Sequence, residues 1–401
     1  MGDTGISAIW EGIVALGEDP RMIAMWFIAG ALLYMGIAKK KEPLLLVPIA
    51  SGILMANLPL GELIRVGGEG EPPGFLRVFQ DFGLTTDLIP LLIFLGLGAL
   101  TDFAPMLSNP KTILLGAGAQ AGVFMALIGA LLLGMTGVFD FGLLEAASIG
   151  IIGGADGPTT IFISTRMREI GQALPDVGVR DIVGATAVAA YSYMALVPII
   201  QPPLIKLLTT KKERLIRMPY AMRPVSRRTK ILFPIVTTIV VSVLVPKASP
   251  LIAIMMFGNL LKESGVVERL SNTAQNELMN IVIIILGLSV GATMPGSVFL
   301  QTETIAIFFL GLFAFMTATV AGILLAKLMN VFSGGTINPM IGAAGVSAVP
   351  MAARVVQDMA QKEDPENFLL MHAMGPNVAG VIGTATVAGV LLALVPALVG
   401  N

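Results

Sequence analysis

The sequence predicts an all-α polytopic membrane protein: two inverted structural repeats whose broken or re-entrant helices meet at a midplane site. Three observations carry that expectation. The composition is apolar, one basic segment divides the hydrophobic windows into two sets, and each half holds a glycine-broken block with polar residues at its centre. Of 401 residues, 55% are hydrophobic and only 13% charged, and the mean hydropathy is +0.86. One soluble core cannot hide that much apolar surface, so the bilayer is the expected solvent. A net charge of −1 gives no support to a nucleic-acid partner, and the lack of cysteine excludes disulfides, thiolate metal sites and thiol catalysis. With a single histidine in the chain, His-based metal or triad chemistry has little to build on.

Residues 1–21 show no basic n-region of a signal peptide, because Asp3 and Glu11 are acidic there. The stretch 6–16 is amphipathic, so 1–21 is expected to be an interfacial segment. The first membrane repeat, 22–205, holds apolar windows at 22–38, 43–60, 87–105, 112–136, 142–164 and 182–205. The second, 231–401, carries windows at about 230–247, 249–262, 277–294, 304–330, 336–356 and 373–399. Between them, "KLLTTKKERLIRMPYAMRPVSRRTK" (206–230) is rich in Lys and Arg, which places it in the cytoplasm by the positive-inside rule. Lys39, Lys40 and Lys41 mark the same side, whereas the acidic, Gly/Pro-rich stretch 61–87 reads as extracytoplasmic. With those lysines inside, the first window enters from outside, and six full crossings would leave the chain outside just where the basic segment requires it inside. One window therefore fails to cross, and 142–164, interrupted by glycines and a proline, is the candidate.

That parity predicts an inverted repeat. A step of 191 residues carries "LGLGA" (95–99) onto "LGLSV" (286–290), Gly184 onto Gly375 and Asp156 onto Ser347. Asp156 lies in "IIGGADGPTTIF" (151–162), and Ser347 lies in "SGGTINPMIGAAGVSAVPMAAR" (333–354), which is again apolar, glycine-broken and polar at its centre. Broken helices free backbone carbonyls for a cation and amide ends for an anion, so paired interruptions point to a midplane site. An ionised Asp156 facing lipid would cost about 3 kcal/mol even on lenient insertion scales, so it is expected to face the interior with a cation, a proton or a partner. Around it stand neutral oxygen donors: Thr336, Asn338, Ser347, Asn377, Thr384 and Thr386. One carboxylate among neutral oxygens suits a monovalent hard cation such as sodium better than calcium or zinc.

Other residues have two readings each. Asp156 could also cap a half-helix at Gly157-Pro158. Glu145 is either a second ion or proton ligand or a carboxylate that reaches water. Arg354 is either an interfacial arginine or a planar fork for a carboxylate. Tyr191 and Tyr193 are either packing aromatics or hydroxyls serving a hydrogen-bonded relay. His372 stands at a window's start and reads as a surface residue. There is no GxxxxGK[ST], HExxH or GxSxG motif, so P-loop, zinc-hydrolase and serine-elbow chemistry have no support. What physics leaves is a cation-coupled membrane protein, including a plain sodium- or proton-coupled secondary transporter without chemistry.

Three blocks add a resemblance. "GGADGPTTIF" (153–162), "AVAAYSYMALVPIIQPP" (187–203) and "TINPMIGAAGVSAVPMAAR" (336–354) resemble the signature blocks of the beta subunit of the biotin-dependent sodium-pumping decarboxylases, a family with oxaloacetate, methylmalonyl-CoA, glutaconyl-CoA and malonate members. The resemblance runs over nearly all of the chain from about residue 20. It implies a membrane subunit that decarboxylates carboxybiotin and couples that step to sodium export with proton uptake. It implies, too, a carboxyltransferase subunit, a biotin carrier subunit or domain, a small membrane-anchoring subunit, a homo-oligomer within the complex and a bacterial or archaeal cytoplasmic membrane. No AMKM-like attachment lysine is present, since "AMRPV" (221–225) lacks it, so biotin is expected in trans. By resemblance Asp156 is the acid that exchanges sodium for a proton, Asn338 and Gly342 help form a second part of the sodium site, and Ser347 is a further ligand or proton carrier. Tyr193 supports the site and relays a proton, and Arg354 holds the carboxylate of carboxybiotin.

Overall fold

In hydrocarbon every backbone N–H and C=O must find a partner within the protein, and runs of Ala, Leu, Ile, Val and Gly meet that demand as helices. The computed structural model describes residues 5–40, 42–68, 71–174, 178–219 and 224–399, and among them it is all-helical, its one strand-like feature being an isolated bridge between Gly68 and Glu71. Lys41, part of the acidic stretch (69–70), residues 175–177 and part of the basic segment (220–223) lie outside the described residues.

The chain opens with α1 (Gly5–Glu18), α2 (Arg21–Leu33, continued by a wider turn to Ala38) and α3 (Pro43–Ala56). Then come α4 (Phe75–Gln80), α5 (Leu88–Leu100), α6 (Ala104–Ser108), α7 (Ile113–Ala119) and α8 (Ala121–Met135). After α9 (Leu143–Gly150) and α10 (Gly157–Ala173), α11 (Val183–Leu208) leads into the short α12 (Lys211–Arg214). The remainder is α13 (Arg227–Leu244), α14 (Ser249–Ser264), α15 (Glu268–Thr273), α16 (Met279–Ala292), α17 (Gly296–Phe299), α18 (Thr302–Phe332), α19 (Met351–Glu363) and α20 (Leu370–Val399).

Twelve apolar windows do not become twelve membrane-length helices. Among the described residues six are long and apolar enough to cross: Arg21–Ala38, Pro110–Met135, Val183–Leu208, Glu268–Ala292, Thr302–Phe332 and Leu370–Val399. A seventh is made if α4 and α5, bent by 62° at a short break, count as one. Small residues set the closest crossings, as expected where lipid gives helices no hydrophobic drive to associate. α3 packs on α16 and α5 on α14; a Cβ on Gly98 would lie 1.8 Å from the Met255 carbonyl oxygen, so only glycine admits that approach.

Two segments enter the helical body and turn back. α9 ends in a tight turn at Ile151–Gly154, Ala155 takes a left-handed conformation (φ 55°), and α10 returns. Its far end lies beside the start of α9, where a Cβ on Gly171 would be 3.0 Å from Leu144 Cδ1. Glu145 Oε1 accepts the Arg180 N–H there (2.9 Å). The second hairpin descends through Asn338 and the tight turns of Pro339–Gly345 and returns along α19. Both of its arms are tied to α12 and the residues after it. Asn338 Nδ2 donates to the Arg214 and Ile216 carbonyls (3.0 and 2.9 Å), and Arg214 Nε pairs with Glu363 (2.7 Å). Because α11 starts just after Arg180 and ends just before Arg214, the two hairpins open at opposite ends of α11. The window 336–356 is thus a turned-back segment as well as 142–164.

Candidate functional site

The hairpin tips meet. The Ser347 N–H donates to the Gly154 carbonyl oxygen at 3.0 Å, a backbone bond between segments 193 residues apart in sequence. This contact helps hold Ala155 in a left-handed conformation that costs an L-residue roughly 1–2 kcal/mol. Asp156 follows as the N-cap of α10, with Oδ1 accepting the Thr159 N–H at 3.3 Å and its own carbonyl accepting from the Thr160 hydroxyl at 2.7 Å. Capping satisfies one orphan amide of a helix start. It does not use up the carboxylate, which is only 4% exposed and has no Lys or Arg within ion-pair distance among the described residues.

Two glycines fit the tip to its surroundings. A Cβ on Gly154 would stand 2.4 Å from Thr384 on α20, and one on Gly157 would stand 2.1 Å from the Tyr191 ring on α11. The carboxylate therefore lies between α11 and α20, in a cavity of about 150 Å³ that Asp156 shares with Tyr191, Ser347, Pro158, Val349 and Glu42. Ser347 Oγ and Thr384 Oγ1 are 2.6 Å apart, and Thr384 Oγ1 reaches Gln120 Oε1 at 3.3 Å. Gln120 Nε2 spans to the Gly116 and Gly380 carbonyls, and Asn377 Nδ2 donates to the Val346 carbonyl at 2.7 Å. Three buried oxygens have no hydrogen-bond partner here: Thr159 Oγ1, the Tyr191 hydroxyl and Asn377 Oδ1. Buried polar atoms are nearly always satisfied, so orphaned oxygens near a carboxylate suit a small cation or a proton carrier.

The expected site residues divide. Asp156 and Ser347 come together in this cavity. Tyr193 does not line it: its hydroxyl donates to the Phe308 carbonyl, and its ring faces a separate apolar cavity with Phe299 and Leu312. Its neighbour Tyr191 takes the place on the Asp156 side. Asn338 and Gly342 are also outside the cavity; all the polar reach of Asn338 goes to peptide groups, its Oδ1 accepting the Met340 N–H at 3.1 Å, and Gly342 packs on the backbone of Gly322 in α18. Arg354, on α19, is exposed, and its positive charge acts on Glu42 at the cavity. Glu145 is buried at the hairpin's open end with both oxygens occupied by backbone N–H groups of Gly142 and Arg180. His372 bonds the Pro219 carbonyl, Thr336 bonds Ser333, and Thr386 bonds Ile382 within its own helix, all apart from the cavity.

Sequence reasoning passed over Gln120, Gln201 and Glu42. The two amides stand alone in apolar windows, which was the available signal. Gln201 Nε2 holds the Ala343 carbonyl of the second hairpin at 2.8 Å, while Gln120 sits at the break between α7 and α8. Glu42 was hidden by its neighbours, since it follows three lysines at a helix start.

Known proteins match most of the chain. Residues 21–395 match the model of the Na+-transporting oxaloacetate decarboxylase beta subunit. The chain is 47% identical to the oxaloacetate decarboxylase beta chain of Klebsiella pneumoniae, over 98% of this chain and 99% of that one. It is 53% identical to the glutaconyl-CoA decarboxylase subunit beta of Acidaminococcus fermentans (92% of each chain) and 54% identical to the methylmalonyl-CoA decarboxylase subunit beta of Veillonella parvula (90% of each). On that match the chain belongs to the family of Na+-transporting decarboxylase beta subunits.

Proposed function

We propose that this chain decarboxylates carboxybiotin presented by a partner's carrier domain and couples that step to sodium export and proton uptake across a bacterial or archaeal cytoplasmic membrane. One observation carries the reading: two hairpins that open at opposite ends of α11 bring their tips together at a single buried carboxylate. Such a site can be approached from either face while sealed from the other. Its repeat is inverted in this reading. Adding 191 to the bounds of α5 gives 279–291, nearly those of α16, and the same step carries α6 onto α17 and α11 onto 374–399 of α20.

Asp156 is the exchanging acid. Breaking the N–C bond of carboxybiotin releases carbon dioxide and leaves an electron pair on the ureido nitrogen, which takes a proton. Sodium and a proton compete for Asp156, and the loss of one drives the gain of the other, which is how a chemical step and an ion step become linked. Ser347 and Tyr191 supply neutral oxygen ligands beside it. Tyr193 supports α11 from the opposite face, and Asn338 and Gly342 fix the arm of the second hairpin. Arg354 holds the substrate's carboxylate, which a permanently charged fork does well. The basic segment faces the cytoplasm and receives the carrier; the complex includes a carboxyltransferase, a small anchoring subunit and further copies of this chain.

In the assembled complex, Asp156→Asn is expected to abolish both sodium-dependent decarboxylation and sodium uptake into inside-out vesicles. A variant with full sodium-stimulated turnover would refute the assignment. Avidin is expected to stop uptake in the native complex, whereas a plain secondary transporter would continue.

A further inference from the structure

Glu42 has no part in the mechanism above, yet it lines the same 150 Å³ cavity as Asp156, Tyr191 and Ser347. Its backbone is fixed at the start of α3. The conformation is left-handed (φ 37°, ψ 54°), and its carbonyl accepts the N–H groups of Leu45 and Leu46 at 3.1 and 2.9 Å. The side chain is half-buried, and burial raises its pKa while the Arg354 guanidinium pulls the other way. The two make no ion pair within 4 Å among the described residues, so each feels the other's charge without being locked to it. A carboxylate that lines the cavity of Asp156 and an exposed guanidinium with no ion pair among the described residues form a small electrostatic linkage: whatever neutralises Arg354 removes a positive charge that acts on Glu42.

We propose that Glu42 is a positioning residue that links Arg354 to the ion cavity: without substrate it shares the charge of Arg354, and when a substrate carboxylate takes the guanidinium, Glu42 becomes a second negative group drawing sodium towards Asp156. This rests on the reading of Arg354 as the carboxylate holder. Linkage is reciprocal, so substrate and sodium then raise each other's apparent affinity, and removing the Glu42 charge uncouples them.

The test is the sodium dependence of decarboxylation by the assembled complex at low and saturating substrate, for native, Glu42→Gln and Glu42→Asp proteins. In the native complex half-saturating sodium falls as substrate rises. In Glu42→Gln it is three- to tenfold higher and no longer follows substrate, the change falling on half-saturation more than on kcat, and Glu42→Asp restores part of the dependence. A Glu42→Gln complex with native half-saturation and native substrate dependence overturns the inference, and so does a fall in kcat with sodium dependence unaltered. Arg354→Ala separates the two layers. If it turns over carboxybiotin at the native rate, the reading of Arg354 is wrong; if it loses turnover while Glu42→Gln behaves as native, only the linkage falls.

Discussion

Two tyrosines two residues apart carry different duties because a helix turns about 100° per residue, which sends positions 191 and 193 to nearly opposite faces. Tyr191 turns an unpartnered hydroxyl towards Asp156; Tyr193 spends its hydroxyl on the Phe308 carbonyl. Tyr191→Phe is therefore expected to leave the melting temperature level or higher, since a buried unsatisfied polar atom is removed, while raising half-saturating sodium severalfold. Tyr193→Phe is expected to do the reverse, costing about 1 kcal/mol of stability with sodium dependence unchanged. Thermal unfolding alongside sodium titration checks both, and interchanged results would sink the placement of the site on the Tyr191 face. Gly157→Ala should do more harm than either, because its Cβ would stand 2.1 Å from the Tyr191 ring. The "YSY" string told of hydroxyls in need of partners. Which one faces the acid depended on the rotation of α11 against α10, and that is a property of packing, not of local sequence.

At the scale of elements, the second hairpin is anchored by one segment. Arg214 pairs with Glu363 through Nε (2.7 Å), donates through Nη1 to the Thr209 carbonyl (2.6 Å), and offers its own carbonyl to Asn338 and Asn367 (3.0 and 3.1 Å). Arg214→Ala is expected to cost about 2 kcal/mol through its charged hydrogen bonds and to loosen both arms together, seen as matched loss of hydrogen-exchange protection at 336–340 and 360–368. Next to it, Arg217 hydrogen-bonds Asp364 and holds that carboxyl below its ordinary value of 3.8. A lowered acid contributes its stability above the unfolded value and loses it as pH falls through the folded one. Protection of residues 211–219, corrected for intrinsic exchange rates, is therefore expected to stay level from neutral pH down to about 4 and to fall below that. Constant protection to pH 2 would deny Asp364 any share in the anchor. The first hairpin was legible because glycines, proline and an acid interrupt an apolar window. The turn-back of the second was less so, since the peptide carbonyls that tie its arms lie more than 120 residues earlier.

For the whole molecule the decisive question is where the hairpins leave the chain, because a segment that turns back reverses the sidedness of everything after it. Loop charge and the 191-residue step suggested two opposed halves. The bond from the Ser347 N–H to the Gly154 carbonyl joins the two interrupted segments, a contact that sequence had no means of showing because it depends on glycine-lined crossings such as Gly153 on Gly122 and Gly342 on Gly322. Topology itself can be measured cleanly, because the chain has no cysteine and any thiol introduced is the only one. Asp140 is 85% exposed just before α9, and Lys212 is exposed in α12. If Leu143–Ala173 is a hairpin, only α11 crosses between these positions and they lie on opposite faces. If that segment crossed in full, α11 would bring the chain back, and the two would share a face. In intact cells a membrane-impermeant maleimide is expected to label Asp140→Cys at once and Lys212→Cys only after permeabilisation. Equal labelling of the two from one side would mean that the acid-bearing segment spans the membrane, and the proposal of a site reached alternately from opposite faces would lose its geometric basis.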